Sequence, residues 1–251
     1  MIREMQFNNI KVKVYENAQE LGRAAAEDTS SYLQSVQEPM VNLLFSTGAS
    51  QFTFMDGLKT QTIDWSRVIA FHLDEYKGMS PEHPASFRLW IRERIEKVFR
   101  PNRVEYIQGD AADVEGECER YAQLIEANPI ELGFIGIGEN GHIAFNDPPV
   151  ADFEDEFLVK VVQLDDACRR QQLGEGWFKA LEDVPEEALT LTVPAILRCK
   201  KIISVVPDGR KAQAVHDALK GPISTKCPAS ILRTHADVTL YLDRDSASLI
   251  L

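Results

Sequence analysis

The sequence predicts an α/β protein, a mostly parallel sheet flanked by helices in a three-layer α/β/α, modified Rossmann-like arrangement. Short apolar runs alternate with helix-length amphipathic segments from one end to the other, as they do when parallel strands are joined by crossover helices. Several runs end in turns dense in glycine and polar residues, and open α/β sheets place their ligands there, beyond the carboxyl ends of the strands. Lys11 to Tyr15 reads as a strand, followed by a helix from about Ala18 to Gln37 that opens with Asn17 and Glu20 at capping-box spacing. Val41 to Phe45 is a short buried strand, followed by a polar turn and then Phe52 to Leu58. Val68 to Leu73 is the next strand and runs into Asp74-Glu75-Tyr76. Ser86 to Phe99 is helical by periodicity, with Phe87, Trp90, Ile91, Ile95 and Val98 on one side, and Val114 to Ala127 repeats the pattern. Leu132 to Ile137 is a continuous apolar run of the kind a fully buried strand has. After a polar stretch, Leu158 to Val162 reads as a strand, Leu189 to Leu197 and Arg210 to Leu219 as helices, and Lys201 to Val206 and Val238 to Leu242 as the last strands. No repeat or linker divides the chain, so one domain over residues 1–251 is expected.

Composition narrows the function classes. A formal net charge of -12 argues against a nucleic-acid surface, which needs a basic patch to neutralise phosphates. An anionic metabolite can still bind through a local cluster of backbone amides and a few cations. The four cysteines form no CxxC pair, so reduced thiols and a cytoplasmic location are expected rather than a disulfide framework or a zinc site. There is no leader-like basic and apolar start, and no apolar run approaches the roughly 20 residues that span a bilayer.

Three strand ends carry residue types suited to chemistry. After Leu43-Leu44-Phe45 comes Ser46-Thr47-Gly48-Ala49-Ser50, a small-residue turn whose successive N–H groups can cradle a phosphate. The second end places Asp74 and Glu75 side by side. Successive strand residues face opposite sides, so one carboxylate can take up a carbon-bound proton while the other orients a loop or pairs with a cation. The third, from Gly136 to Pro149, contains Asn140, His142, Asn146 and Asp147. Its Gly136-x-Gly138-x-x-Gly141 spacing matches a dinucleotide fingerprint, but that motif must open a helix, and Pro148 and Pro149 stand close behind. Proline inside a helix costs roughly 3 kcal/mol, so the segment is expected to be a catalytic loop. His142 can accept and donate a proton near neutral pH, Asp147 can hold its tautomer, and Asn140 can donate and accept without titrating. His72, His83, His216 and His235 lack such surroundings and are expected to be structural.

Together these segments resemble the glucosamine-6-phosphate deaminase family, the glucosamine-6-phosphate isomerases, over most of the chain. The residues that carry the resemblance are Ser46 to Ser50, Leu73-Asp-Glu-Tyr76, the lid-like His83-Pro-Ala-Ser-Phe87, Gly136-Ile-Gly-Glu-Asn-Gly-His-Ile-Ala-Phe-Asn-Asp-Pro148 and Gly209-Arg-Lys-Ala212. The resemblance implies an aldose–ketose isomerisation coupled to loss of ammonia from a phosphorylated amino sugar. Asp74 would then move a proton between C2 and C1 of the open-chain sugar. His142 would open the ring with Asn140 and Asp147 as partners. Thr47, Gly48, Ala49, Ser50 and Lys211 would hold the 6-phosphate. No metal or organic cofactor is implied, and neither a nucleic-acid nor a membrane partner. Relatives range from monomers to hexamers, which leaves a homo-oligomer open.

The chain departs from the family pattern at three places. Asn140 stands where many members have aspartate. Asp147 stands where glutamate is usual, which draws the carboxylate back by roughly 1.5 Å, one bond length. Gly176-Trp177-Phe178 occupies the place of a phosphate-binding arginine before an aromatic pair, with Arg169 or Arg170 as the candidate replacements. The allosteric tail and basic positions of regulated relatives are not matched. A 6-phosphogluconolactonase-like hydrolase shares the fold, but it usually has Asp-Glu-Arg and a Ser-Leu-Phe-Pro string where this chain has Tyr76 and Ile143-Ala-Phe-Asn146. A non-catalytic sugar-phosphate sensor would carry a DNA-binding module ahead of a first strand that here begins near residue 11.

Overall fold

Eleven strands and eight α-helices succeed one another along residues 1–251, all of which the computed structural model describes. A hairpin of β1 (Arg3–Phe7) and β2 (Ile10–Tyr15) leads into α1 (Ala18–Ser35), β3 (Val41–Phe45) into α2 (Phe52–Leu58), and β4 (Val68–His72) into β5 (Asp74–Tyr76). Next come α3 (Phe87–Ile91), a π-helical turn at Arg92–Glu96, α4 (Lys97–Phe99), β6 (Arg103–Val104), α5 (Val114–Ala127) and β7 (Leu132–Ile135). The remainder is β8 (Val159–Gln163), α6 (Asp166–Gly174), β9 (Glu187–Leu191), α7 (Val193–Ile196), β10 (Lys201–Val206), α8 (Ala212–Lys220) and β11 (Val238–Asp243). No helix is long and apolar enough to cross a membrane.

Eight strands form the main sheet in the order β1-β2-β11-β10-β7-β3-β4-β6, parallel throughout except for the β1–β2 hairpin. Its two faces are buried by alternate residues. Leu44, Ile69 and Phe71 join one apolar cluster, and Leu43, Phe45, Val68 and Ala70 join another with α1 and α2. A second, antiparallel sheet of β5, β9 and β8 was not expected. Leu73 is the junction between the two. Its N–H still bonds to Phe45 of the main sheet at 3.2 Å, while its carbonyl accepts from Leu191 of the small sheet at 2.8 Å.

The strand expected at Val68 to Leu73 ends at His72, and Asp74 to Tyr76, expected to close it, form the separate strand β5. A second correction concerns Leu189 to Leu197, expected as a helix. The stretch Ala188-Leu-Thr-Leu191 is wholly buried and pairs on both sides as β9, and a short apolar run does not distinguish strand from helix by periodicity. Only α7 is helical, starting where Thr192 caps the N–H of Ala195 at 3.3 Å and Pro194 sits in the first turn. The first helix ends at Ser35, ahead of Gln37. Asn17 does cap it, 2.9 Å from the N–H of Glu20, but Glu20 reaches back to Glu16 and leaves the capping box half made. α6 forms between Val162 and Leu189, where no helix is expected from the sequence.

α1 and α2 approach so closely that a Cβ on Gly22 would stand 2.4 Å from the backbone carbonyl carbon of Thr53. Replacing glycine with alanine favours a helix interior by about 1 kcal/mol, but overpacking costs about 1–3 kcal/mol. The obstructing atoms are backbone, so the second effect wins. Gly22→Ala should lower the denaturant midpoint and disturb α2, which begins directly after the Ser46–Ser50 turn. An unchanged or raised midpoint would contradict this packing.

Candidate active site

The carboxyl ends of β3, β4, β7, β10 and β11 open into one cavity of about 390 Å³. Thr47, Gly48, Ala49 and Ser50 line it after β3, Asp74 after β4, Gly138 and His142 after β7, and Lys211 after β10. Two of the expected catalytic residues, Asn140 and Asp147, do not line the cavity; they stand behind His142.

The N–H groups of Thr47, Gly48 and Ala49 make no hydrogen bond within the chain, and so remain available to an anion. The turn is held from below by Gln51, fully buried, whose amide donates to Ser50 Oγ at 3.0 Å and to the Val205 carbonyl of β10 at 3.3 Å. Across the cavity Lys211 is 7% exposed and forms no ion pair. Burial pulls its ammonium below the ordinary lysine range, while the nearby Glu139 and Glu175 carboxylates oppose that shift.

Asp74 and Glu75 part company as their alternation predicts. Glu75 points away from the cavity and accepts from the N–H groups of Tyr76, Phe87 and Arg88 and the hydroxyl of Ser86, at 2.7–3.1 Å. Its side chain is 0% exposed and the guanidinium of Arg88 lies 3.6 Å away. Asp74 faces the cavity with no protein donor on its carboxylate. Burial, then the neighbouring Glu75 charge, push its carboxyl well above the usual carboxylate range. An environment of that kind suits a base that must hold and release a proton near neutral pH.

His142 rests its ring flat against Gly138, where a Cβ would stand 2.2 Å from Cε1. Any side chain at Gly138 would therefore expel the ring. Asp147 Oδ1 lies 2.9 Å from His142 Nδ1, within hydrogen-bonding distance but bent out of line. The same oxygen accepts from Asn140 Nδ2 at 2.9 Å, and Asn140 Oδ1 accepts the His142 N–H at 3.0 Å. Burial pushes Asp147 up, but His142, Asn140 and the Cys168 thiol together hold its carboxyl below the usual range. Asp147 is thus an anion that fixes His142 and can stabilise an imidazolium. His142 Nδ1, an Asp147 oxygen and Cys168 Sγ lie within 4.8 Å of one another, donors of a type that can hold a soft divalent cation. Burial and the Asp147 charge push the Cys168 thiol far up, which favours a hydrogen donor over the thiolate a metal requires. Asn146, fully buried, is an anchor: its amide donates to the carbonyls of Ile143 and Leu191 at 2.9 and 2.8 Å.

Neither arginine considered for the phosphate lies in the cavity. Arg169 is spent on the carbonyls of Leu181 and Val184 at 2.8 and 3.0 Å, closing the turn after α6, and Arg170 does not line the cavity. α6 and its C-terminal cap present Gln171, Gln172 and Glu175 instead. Gln172 accepts the Tyr76 hydroxyl at 2.9 Å, and Gln171 accepts the Glu139 N–H at 3.0 Å. The sequence reading missed Arg210, Glu139 and Glu175 as cavity residues; the one signal for Arg210 was its place beside Lys211. His72 is structural as expected, fully buried between the Asp74 carbonyl and the Ile107 N–H, both at 2.9 Å, and burial drives its pKa down to about 3.

Residues 16–241 match the family of glucosamine-6-phosphate isomerases and 6-phosphogluconolactonase, and the chain belongs to that family. It is 32% identical over 242 residues to a glucosamine-6-phosphate deaminase of Lactobacillus delbrueckii subsp. bulgaricus, covering 96% of this chain and 100% of the relative. It is 36% identical over 254 residues to a glucosamine-6-phosphate deaminase of Thermoanaerobacter pseudethanolicus, covering 96% and 95%. Among solved structures, a monomeric glucosamine-6-phosphate deaminase superposes with a TM-score of 0.86 at 31% identity, over 95% of this chain and 99% of that one. The 6-phosphogluconolactonase of Thermotoga maritima superposes at 0.75 with 17% identity, over 92% and 98%, a likeness of fold alone. The chain is an enzyme of this superfamily.

Asp74→Asn keeps the shape of the side chain and removes its basic oxygen. Turnover should fall by about 10²- to 10⁴-fold with binding largely kept. A base works ionised, so the acid limb of kcat/KM in the parent enzyme should lie above the ordinary carboxylate value of about 4. The folded protein holds this proton more tightly than the unfolded chain, so stability should fall as pH rises between the two pKa values, and Asp74→Asn should abolish that loss. Full activity in the folded variant would remove Asp74 from the chemistry.

Proposed function

We propose that this enzyme converts a hexosamine 6-phosphate, such as glucosamine 6-phosphate, into the ketose 6-phosphate and ammonia. The observation that carries the reading is the meeting, in one cavity, of an isolated carboxylate at Asp74, an imidazole backed by an anion at His142–Asp147, and the three free N–H groups of Thr47 to Ala49 facing Lys211.

The steps follow from those groups. The phosphate seats on the Thr47–Ser50 turn and Lys211, and its binding energy orients carbons several bonds away. His142 moves a proton from the anomeric hydroxyl to the ring oxygen and opens the ring, while Asp147 stabilises the imidazolium. Asp74 then removes the proton from C2 and returns it to C1, while one proton leaves the amine nitrogen and one is taken up by O1, so the aldehyde becomes an alcohol and the amine-bearing carbon becomes an imine. Water adds to that carbon and ammonia leaves, giving the ketone. Protons and atoms balance without a redox partner.

Ammonia release measured over a panel of hexosamine 6-phosphates should reveal at least one substrate, with ketose 6-phosphate formed in equal amount. Lys211→Ala removes a charge-assisted bond worth about 1.5–3 kcal/mol and should raise KM roughly 10- to 150-fold. Hydrolysis of 6-phosphogluconolactone with no ammonia from any amino sugar would replace this reading with the lactonase one. An unchanged KM in Lys211→Ala would move the phosphate elsewhere.

A further inference from the structure

Two cations line the cavity together with the Thr47–Ser50 turn: Lys211, and the adjacent Arg210. α6 contributes none. It offers amides and the carboxylate of Glu175, whose Oε2 would lie 3.5 Å from a Cβ at Gly48. A phosphate dianion at this turn therefore meets Glu139 and Glu175 with only Lys211 fully committed against them. Arg210 is held from both sides, its Nε and Nη2 3.1 and 2.8 Å from Asp208 Oδ2 and its Nη1 3.3 Å from Glu139 Oε1. Glu139 belongs to the loop after β7, Arg210 to the turn after β10, and both side chains are partly exposed, at 37% and 57%. Exposed carboxylate pairs of this kind contribute little and exchange readily. A phosphate offers Nη1 more charge and more oxygens than one glutamate does.

We propose that Arg210 is the second phosphate-binding cation of this enzyme, filling a part that neither arginine of α6 reaches, and that Glu139 is the placeholder carboxylate which the substrate phosphate displaces. Asp208 keeps the guanidinium at the cavity mouth throughout, and the exchange takes place at Nη1. This rests on the reading of a phosphorylated substrate, and it makes opposite demands on the two partners. Removing Arg210 weakens phosphate binding, whereas neutralising Glu139 strengthens it.

Calorimetric titration of the full chain with inorganic phosphate tests both. Arg210→Gln should weaken phosphate about 10- to 100-fold, Arg210→Lys should recover only part of the loss because one ammonium cannot hold Asp208 and the phosphate in the fixed geometry of a guanidinium, and Glu139→Gln should tighten binding. KM for the hexosamine 6-phosphate should follow these affinities, with kcat changing far less. Phosphate affinity within about twofold of the parent in Arg210→Gln, or a loss in Glu139→Gln equal to that in Arg210→Gln, overturns the proposal. If the phosphate affinities behave as stated and no amino-sugar phosphate releases ammonia, the assignment of Arg210 stands and the deaminase reading falls.

Discussion

Phe45 lies opposite Phe134 across the β3–β7 pair, and Ile135 lies opposite Ser204 across β7–β10, so the three central strands stop at the same edge of the sheet. That parallel register is the constraint on which the site depends. It is locked from one face by the rings of Phe45, Phe134 and Phe54, with centroids 4.9 Å apart along the chain of contacts. Parallel strands leave successive loops on one side, and here the loop after β3 brings free N–H groups, that after β7 brings an imidazole, and that after β10 brings two cations. A one-residue slip would turn each of these side chains to the opposite face.

The chemistry needs one more element, which the main sheet alone does not supply. Leu73 carries the chain from the large sheet into the small one, and in doing so separates two adjacent carboxylates. Glu75 is saturated by four hydrogen bonds and a guanidinium, and it fixes the start of α3 beneath the cavity. Asp74 is left with none. Taking an ionised carboxylate out of water without a partner is costly, and the saturated bonding of Glu75 is what holds β5 in place while Asp74 remains uncompensated. The proposed base, Asp74, is thus left uncompensated by a neighbour that itself stays out of the cavity. Behind the histidine the division of labour is similar: Asp147 and Asn140 stay out of the cavity and fix the ring, while Gly138 provides the flat surface it lies on.

Much of this could be read from the chain. The main sheet, its helices and the three functional strand ends follow from apolar period and from polar residues crowded after buried runs. The opposite fates of Asp74 and Glu75 follow from strand alternation. The small sheet stayed hidden because β5 is three residues long and two of them are acids, and because the buried run Ala188 to Leu191 lacks the alternation that marks a strand. α6 stayed hidden because most of its residues are polar. The misassigned arginine has the same root: Arg169 looks available in sequence, but the carbonyls of Leu181 and Val184 claim it once the turn closes. The exchangeable pair between Arg210 and Glu139 joins residues far apart in the chain, and no local pattern announces it.

The central claim is that the phosphate turn and Asp74 grip opposite ends of one open-chain sugar. The most direct measurement is a high-resolution structure with the alcohol analogue of a hexosamine 6-phosphate, reduced at C1 so that its ring cannot close. The account predicts phosphate oxygens on the N–H groups of Thr47, Gly48 and Ala49, with the Asp74 carboxylate within about 3.5 Å of C1 and C2, the separation of groups poised to react. A phosphate bound away from that turn, or a carbon chain that leaves Asp74 without contact, would contradict it.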